Sequence, residues 1–207
     1  MTNRSITACR LYGFIDTGYL AGRDPAELAQ ALITGGVDII QVRAKEMSHA
    51  QRVALAHAVV NIAQDVPVIV NDDIAAARET GAAGVHLGQE DFAGLTRDRL
   101  KDLRIVGIST HSLAQARQAE LAGADYIGVG PVFATGTKPG VPPVGVELVR
   151  QVTGQITVPF FAIGGITQKN LDEILAAGAT RVAVVSAILA APDVTKAARQ
   201  FKEKLIA

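Results

Sequence analysis

The chain has 207 residues, of which 49% are hydrophobic but only 4% aromatic, so we expect one domain with an aliphatic core. Twenty Lys and Arg residues balance twenty Asp and Glu residues, which gives a net charge of zero. Without an overall positive charge, binding to nucleic acid or to an anionic membrane is not expected.

Eight strand patterns alternate with eight helix patterns along the chain. The predicted strands cover residues 11–16, 38–42, 68–71, 84–87, 105–109, 126–129, 160–163 and 181–185. The predicted helices cover residues 25–34, 48–64, 74–80, 96–102, 113–122, 146–152, 168–177 and 194–205. Because no linker interrupts this alternation, the sequence predicts an α/β fold, a single (β/α)8 TIM barrel over residues 1–207, with an open doubly wound sheet as the alternative.

A degenerate repeat marks the joins between helices and strands. Residues 34–40, 80–86, 122–128 and 177–183 each contain a glycine in a short turn that leads into an apolar strand start. Glycine commonly ends a helix in the left-handed conformation, which is the behaviour required at such a join.

In barrels of this kind the active site lies where the strands end and the following loops begin. Polar residues collect at these positions: Gln41, Arg43 and Lys45; Asn71, Asp72 and Asp73; Gln89, Glu90 and Asp91; Ser109, Thr110 and His111; and Thr135, Thr137 and Lys138. We therefore expect the functional site at this end of the barrel.

Gln41, Arg43 and Lys45 alternate along the second predicted strand, so all three should face the barrel interior. Two cations directed inward require an anion, and the pair suits a pyrophosphate group. The alternative is that the two cations pair with carboxylates at the rim.

Asp72 and Asp91 follow neighbouring predicted strands, so their carboxylates can converge. Oxygen ligands of this kind suit Mg2+, which also binds substrate phosphate. Asp73 directly precedes a predicted helix and is interpreted as its N-cap, while Glu90 is expected to face solvent.

The seventh and eighth predicted strands end in Gly164-Gly165 and in Ser186, where barrels often bind a phosphate group on backbone amides. The alternative is a tight turn that requires a positive φ at one glycine, which is compatible with phosphate binding.

Cys9 is the only cysteine, which excludes an intramolecular disulfide and favours a buried core residue in a reducing, cytoplasmic setting. Residues 1–14 lack the apolar run of a secretory signal, and the nearly apolar stretch 181–191 is too short to cross a bilayer. His86 is expected to be a hydrogen-bonded residue inside the barrel, and His111 begins a loop after the fifth strand.

Seven segments resemble the thiamine-phosphate synthase family over about residues 11–189. They are QVRAK at 41–45, VPVIVNDD at 66–73, GVHLGQED at 84–91, GISTHS at 107–112, GADYIGVGPVFATGTK at 123–138, FAIGGI at 161–166 and VVSAI at 184–188. The resemblance implies a transferase that condenses 4-amino-5-hydroxymethyl-2-methylpyrimidine pyrophosphate with 4-methyl-5-(2-phosphooxyethyl)thiazole, in the presence of Mg2+, to give thiamine phosphate and pyrophosphate.

The resemblance also implies roles for individual residues. The residues expected to hold the pyrimidine pyrophosphate are Gln41, Arg43, Lys45, Asn71, Ser109 and Lys138, of which Arg43, Lys45, Ser109 and Lys138 are the predicted catalytic residues. Asp72 and Asp91 would bind Mg2+. The residues expected to hold the thiazole phosphate are Thr135, Gly136, Thr137, Gly165, Val185 and Ser186.

Three alternatives stay open at this point. A thiazole tautomerase would share the barrel but would not need the full set of cations. A non-catalytic barrel could bind a phosphorylated metabolite as a sensor or a partner subunit. A sugar-phosphate isomerase or epimerase would need an acid and a base at the mouth, for which His86 and Asp72 are the only candidates. The sequence does not determine the oligomeric state, and a homo-oligomer is one of the possibilities.

Overall fold

In the computed structural model, eight parallel strands form a closed barrel in which each strand pairs with the next along the chain and the last pairs with the first, which confirms the predicted (β/α)8 TIM barrel. The structure describes residues 4–93, 95–136 and 140–206. The strands are β1 (Leu11–Asp16), β2 (Ile39–Arg43), β3 (Val68–Asn71), β4 (Gly84–Leu87), β5 (Ile105–Thr110), β6 (Tyr126–Val129), β7 (Phe160–Ile163) and β8 (Val182–Ala183).

Helices follow the strands on the outside of the barrel. They are α1 (Pro25–Thr34), α2 (His49–Ala63), α3 (Ile74–Thr80), α4 (Gln89–Phe92), α5 (Leu113–Leu121), α6 (Gly145–Gln155), α7 (Leu171–Ala176), α8 (Ser186–Leu189) and α9 (Val194–Ile206). Short 3-10 helices cover Ile6–Ala8, Thr17–Tyr19 and Arg97–Leu100. None of the helices in the described ranges has the length and apolar character that crossing a membrane requires.

Local side-chain chemistry explains where several helices begin. Asp24 accepts hydrogen bonds from the first amides of α1, and Ser48 forms a reciprocal capping box with Gln51 at the start of α2. Asp73 accepts from the amide of Ala76, which confirms its predicted role as the N-cap of α3.

The short helices α4 and α8 were not predicted, and the predicted helix at 168–177 begins only at Leu171. Two further predicted elements differ more from the observed ones. The predicted helix at 96–102 is wrong: the chain forms only a 3-10 helix at Arg97–Leu100, and β5 begins at Ile105, which leaves no room for further helical turns. Arg97 donates to the carbonyls of Leu100 and Leu103 within this connection. The predicted strand at 181–185 is too long, because Val185 leaves the extended conformation with ψ of −85° and α8 begins at Ser186.

Large rings fill the barrel interior beneath its open end. The centroid of the Tyr12 ring lies 5.8 Å from that of Tyr126 and 5.2 Å from that of Phe161. Glycine is required opposite this layer, since a Cβ atom at Gly107 would lie 2.1 Å from the Tyr126 ring. These rings form the floor of a cavity at the open end of the barrel.

The opposite end of the barrel is tied to the last helix by Asp38. Its buried carboxylate accepts from the amides of Arg10 and Leu11 at 2.9 and 3.0 Å and from Nζ of Lys202 at 2.6 Å. Cys9 is fully buried nearby, and burial raises the pKa of its thiol to about 11. Its predicted place in the core is confirmed.

Candidate active site

A cavity opens at the end of the barrel where the strands terminate. The predicted site residues that line it are Gln41, Arg43, Asn71, Ser109, Thr135, Gly165, Val185 and Ser186. They come from β2, β3 and β5, from the loops after β6 and β7, and from the junction of β8 with α8, so the fold brings residues that are distant in sequence to one mouth. Thr137 and Lys138, which were also predicted, lie outside the described residues.

Buried hydrogen bonds connect side chains across the cavity floor. The Nε2 atom of Gln41 donates to the Tyr12 hydroxyl at 2.8 Å, and the hydroxyls of Tyr12 and Tyr126 lie 2.8 Å apart. The two ring nitrogens of His86 lie 2.9 Å from the Tyr126 hydroxyl and 2.9 Å from Oγ of Ser109. His86 is therefore a hydrogen-bonded residue inside the barrel, as predicted.

The two tyrosines were missed in the sequence. Burial raises the pKa of both phenols far above the ordinary value, so both stay protonated and can donate. A signal was present for one of them, because the strand LYGFID places Tyr12, Phe14 and Asp16 at alternate positions and therefore on the same inward face as the cavity.

Arg43 lies on the cavity wall and pairs with a carboxylate that the sequence reasoning did not identify. Its Nη1 atom lies 2.7 Å from Oδ2 of Asp16, whose side chain is only 3% exposed. Asp16 also accepts from the amide of Gly18 at 2.9 Å. A guanidinium carries five N–H donors, so this pairing orients Arg43 without exhausting its capacity to bind an anion.

Lys45 departs from the prediction that it faces the barrel interior with Gln41 and Arg43. Strand β2 ends at Arg43, so the alternation no longer controls the direction of Lys45 two residues later. Its side chain instead lines a neighbouring open cleft of about 520 Å3, together with residues at the starts of α2 and α3. Asn71 lines both the cavity and this cleft, so the two adjoin at this residue.

Three further charged or titratable side chains line the cleft that contains Lys45: His49, Arg52 and Asp73. Asp73 accepts from Nε of Arg52 at 2.8 Å and lies 2.9 Å from Nδ1 of His49. Burial alone would raise the pKa of Asp73, but hydrogen bonds from the Ala76 amide, His49 and Arg52 lower it on balance. The same contact with Asp73 raises the pKa of His49. Asp73 is thus committed to partners within the protein.

Asp72 directly follows β3, whereas Asp91 lies within α4 beyond the end of β4, and both side chains are exposed. Asp72 adopts a positive φ of 61°, donates its amide to the His86 carbonyl and accepts a side-chain hydrogen bond from Asn71. The Asp91 carboxylate lies over Gly88, since a Cβ atom there would be 2.9 Å from its Oδ2. Glu90 is exposed, as expected.

The donor set at this position fits Mg2+ better than a transition metal. Among residues 4–93, 95–136 and 140–206 no group of three or more His, Cys, Asp and Glu side chains could hold a metal ion. Mg2+ needs only one or two carboxylates, because water and substrate phosphate complete its coordination. Asp72 lines the cleft that contains Lys45, whereas Asp91 lies on α4 and lines neither the cavity nor this cleft. Both are exposed carboxylates and offer the kind of oxygen ligand that Mg2+ accepts.

On the side of the cavity that follows β7, two glycines leave space for a ligand to approach the backbone closely. Gly164 and Gly165 both have positive φ, and a Cβ atom at Gly165 would lie 2.5 Å from the Ala134 carbonyl oxygen. Asn170 donates to the Gly165 carbonyl at 2.9 Å, which fixes the turn. Gly136 is exposed and is not among the residues that line the cavity.

His111, for which no definite role was predicted, also lines the cavity. Its Nδ1 atom contacts the carbonyl oxygen of Gly130, and its amide donates to Gln115 at 2.7 Å. The ring is therefore held in place at the entrance to the loop that carries Thr135.

Comparisons with known proteins agree with this geometry. Residues 11–188 match the family model of thiamine monophosphate synthase. The chain is 41% identical over 205 residues to a thiamine-phosphate synthase of Chloroflexus aurantiacus, covering 98% of this chain and 95% of the relative. It is 44% identical over 195 residues to one of Shouchella clausii, covering 92% and 93%.

A solved structure gives the same result. The thiamine phosphate pyrophosphorylase from Pyrococcus furiosus superposes with a TM-score of 0.85 at 30% sequence identity, and the match covers 96% of both chains.

Proposed function

Because the chain belongs to the thiamine monophosphate synthase family, we propose that it joins a pyrimidine pyrophosphate to a thiazole phosphate at the mouth of its barrel. It is a thiamine-phosphate synthase and hence a transferase, as its curated relatives are. The proposed substrates are 4-amino-5-hydroxymethyl-2-methylpyrimidine pyrophosphate and 4-methyl-5-(2-phosphooxyethyl)thiazole, and the products are thiamine phosphate and pyrophosphate.

The observation that carries this proposal is that one cavity has a cationic side chain on one side and a glycine-containing backbone turn on the other. Arg43 lies on the side of β2, next to the cleft that contains Lys45. Gly165 and Ser186 lie on the side of β7 and β8, where the backbone can approach a phosphate closely. Two phosphorylated substrates bound with their phosphates apart would meet between these sides.

Mg2+ would be held by Asp72 and Asp91 on the first of these sides. The bound ion would supply positive charge that offsets the negative charge of the pyrophosphate. Without a cation, these two exposed carboxylates would repel an anionic substrate.

The chain's own residues provide charge stabilisation and alignment. When the C–O bond to the pyrophosphate breaks, the bonding electrons leave with the pyrophosphate, and Arg43 and Lys45 stabilise the added negative charge. The aminopyrimidine supports the cation that forms, and the thiazole nitrogen donates its lone pair to the methylene carbon. No protein nucleophile is needed, so catalysis consists of electrostatic stabilisation and of holding the two rings in line.

The remaining contacts fix the pyrimidine ring. Gln41 and Ser109 lie on β2 and β5, on different sides of the cavity, and both are held by the hydrogen bonds of its floor. Tyr12, Phe14 and Phe161 supply the apolar surface on which a flat ring can rest.

The experiment is to incubate the purified protein with both substrates and Mg2+ and to measure thiamine phosphate by mass spectrometry. The proposal expects thiamine phosphate in amounts equal to the pyrophosphate released, and none when either substrate is omitted. Binding of both substrates without any product would contradict the proposal and favour a non-catalytic barrel. Conversion of a thiazole tautomer without condensation would favour a tautomerase.

A further inference from the structure

The hydrogen bonds of the cavity floor form one continuous chain. It begins at Gln41 on β2, passes through the hydroxyls of Tyr12 and Tyr126, and ends at His86 and Ser109 on β4 and β5, with every step at 2.8 or 2.9 Å. The first three side chains are at most 3% exposed, so water does not compete for these contacts.

The amide at the start of the chain sets the direction of the hydrogens. Nε2 of Gln41 can only donate, so the Tyr12 oxygen accepts. If Tyr12 then donates to Tyr126, and Tyr126 donates to Nδ1 of His86, each hydroxyl hydrogen has an acceptor. The opposite direction would leave the hydrogen of buried Tyr12 without an acceptor among these five groups, and buried donors are rarely left unpaired.

This direction determines the tautomer of His86. A neutral imidazole carries one hydrogen, and Nδ1 is the acceptor of the Tyr126 hydroxyl, so the hydrogen lies on Nε2 and is donated to Oγ of Ser109. The hydrogen of the Ser109 hydroxyl is then available to a group in the cavity.

We propose that His86 is a positioning residue that makes the Ser109 hydroxyl a hydrogen-bond donor toward an acceptor atom of the bound pyrimidine. The identity of that substrate rests on the proposed function, whereas the tautomer follows from the protein alone. His86 thus acts through Ser109 and does not itself transfer a proton to the substrate.

The surroundings leave His86 and Ser109 little other freedom. The His86 ring lies 5.4 Å from the Tyr126 ring, and a Cβ atom at Gly128 would already lie 3.4 Å from its Cε1. Gln89 donates to the Ser109 carbonyl at 2.6 Å and so holds the backbone of Ser109 independently of His86. What His86 controls is therefore the orientation of the hydroxyl.

A double-mutant cycle tests whether His86 acts through Ser109. The variants are His86→Phe, which keeps a ring but removes both nitrogens, Ser109→Ala, and the two combined. We expect His86→Phe to lower kcat about tenfold when Ser109 is present and less than about twofold in the Ser109→Ala background. Equal losses in both backgrounds, or an unchanged kcat in His86→Phe, would overturn the proposal.

A matched control is available on the same strand. Thr110 is fully buried, and its hydroxyl donates to the Gly128 carbonyl at 3.0 Å, outside the chain of hydrogen bonds below the cavity. Thr110→Val should lower Tm while leaving kcat within about twofold of the wild-type value. A tenfold loss of kcat in this control would mean that His86→Phe reports general destabilisation, which would contradict the proposal.

The tautomer can be measured without any substrate. Nitrogen-15 NMR of the wild-type protein at neutral pH, with the His86 signals assigned by their loss in His86→Phe, should show a protonated Nε2 and an unprotonated Nδ1. A protonated Nδ1 would overturn the proposal. Failure of the proposed function would look different, since the wild-type protein would then form no thiamine phosphate while the tautomer was as expected.

Discussion

The guanidinium of Arg43 donates to the buried carboxylate of Asp16 at 2.7 Å, and the two residues are also register partners at the ends of β2 and β1. The pair fixes a cation on the cavity wall before any substrate binds. A preorganised charge of this kind stabilises developing negative charge without having to rearrange during the reaction.

Asp16→Asn keeps the shape of this partner but removes its charge. We expect kcat/KM for the pyrimidine pyrophosphate to fall at least about tenfold, or about 1.4 kcal/mol, because Arg43 is no longer held in one orientation. Steady-state kinetics measure the effect. Glu147→Gln, which removes an exposed ion pair with Arg150, is the control and should change kcat/KM by less than about twofold. Equal effects of the two substitutions would contradict the role given to Asp16.

If Asp72 and Asp91 bind Mg2+ and Asp73 does not, substitutions at these three residues should change the Mg2+ requirement of the enzyme by different amounts. Asp72→Asn and Asp91→Asn should each raise the Mg2+ concentration needed for half-maximal activity about tenfold or more, since each removes one anionic ligand. Asp73→Asn should change that concentration little, because its oxygen can still cap α3. Full activity after exhaustive chelation, or greatest sensitivity at Asp73, would show that the metal is assigned to the wrong residues.

A substitution at Gly165 should weaken binding of the thiazole phosphate without weakening binding of the pyrimidine pyrophosphate. Gly165→Ala adds a Cβ atom against the Ala134 carbonyl at a residue with φ of 63°, so it should raise KM for the thiazole phosphate about tenfold. Binding of the pyrimidine pyrophosphate, measured by calorimetry, should stay within about twofold of wild type.

The control for this substitution is Gly154→Ala in α6, where a Cβ atom meets nothing within 4 Å. It should leave both substrates unaffected and should stabilise the helix slightly. If Gly165→Ala weakened both substrates equally in a folded protein, the two sides would not be separate sites.

Stability should depend on Asp38 far more than on a surface carboxylate that contacts the same helix. Asp38→Asn leaves Lys202 without its buried partner and should lower the free energy of unfolding by about 3 kcal/mol. Asp172→Asn breaks the exposed contact with Lys204, also on α9, and should cost less than about 1 kcal/mol. Urea denaturation measures both, and similar losses would contradict the anchoring role of Asp38.

The sequence was sufficient for the barrel because each unit repeats the same local signals. Caps such as Asp73 and turn glycines such as Gly81 and Gly178 act within a few residues, so the αβ joins could be predicted from short segments. The eighth strand was predicted too long because apolar character alone does not mark where the backbone of Val185 turns.

The site was harder to predict where it depends on contacts between strands. The Arg43 and Asp16 pair joins residues 27 positions apart, and the contact between Tyr12 and Tyr126 joins residues 114 positions apart. Lys45 was expected to face the barrel interior because the alternation was extended two residues past the end of β2. Such relationships appear only once the barrel closes.

The most direct test of the proposed mechanism is to trace, by isotopic labelling, the oxygen atom that links the pyrimidine to its pyrophosphate. The pyrimidine pyrophosphate would carry oxygen-18 in the bridge between its methylene carbon and the first phosphorus, and the reaction would be run with the thiazole phosphate and Mg2+. Cleavage of the C–O bond, with the electrons leaving on a pyrophosphate stabilised by Arg43 and Lys45, predicts that all of the label is found in the released pyrophosphate. Label retained in a pyrimidine-derived product, or the absence of thiamine phosphate, would contradict this account.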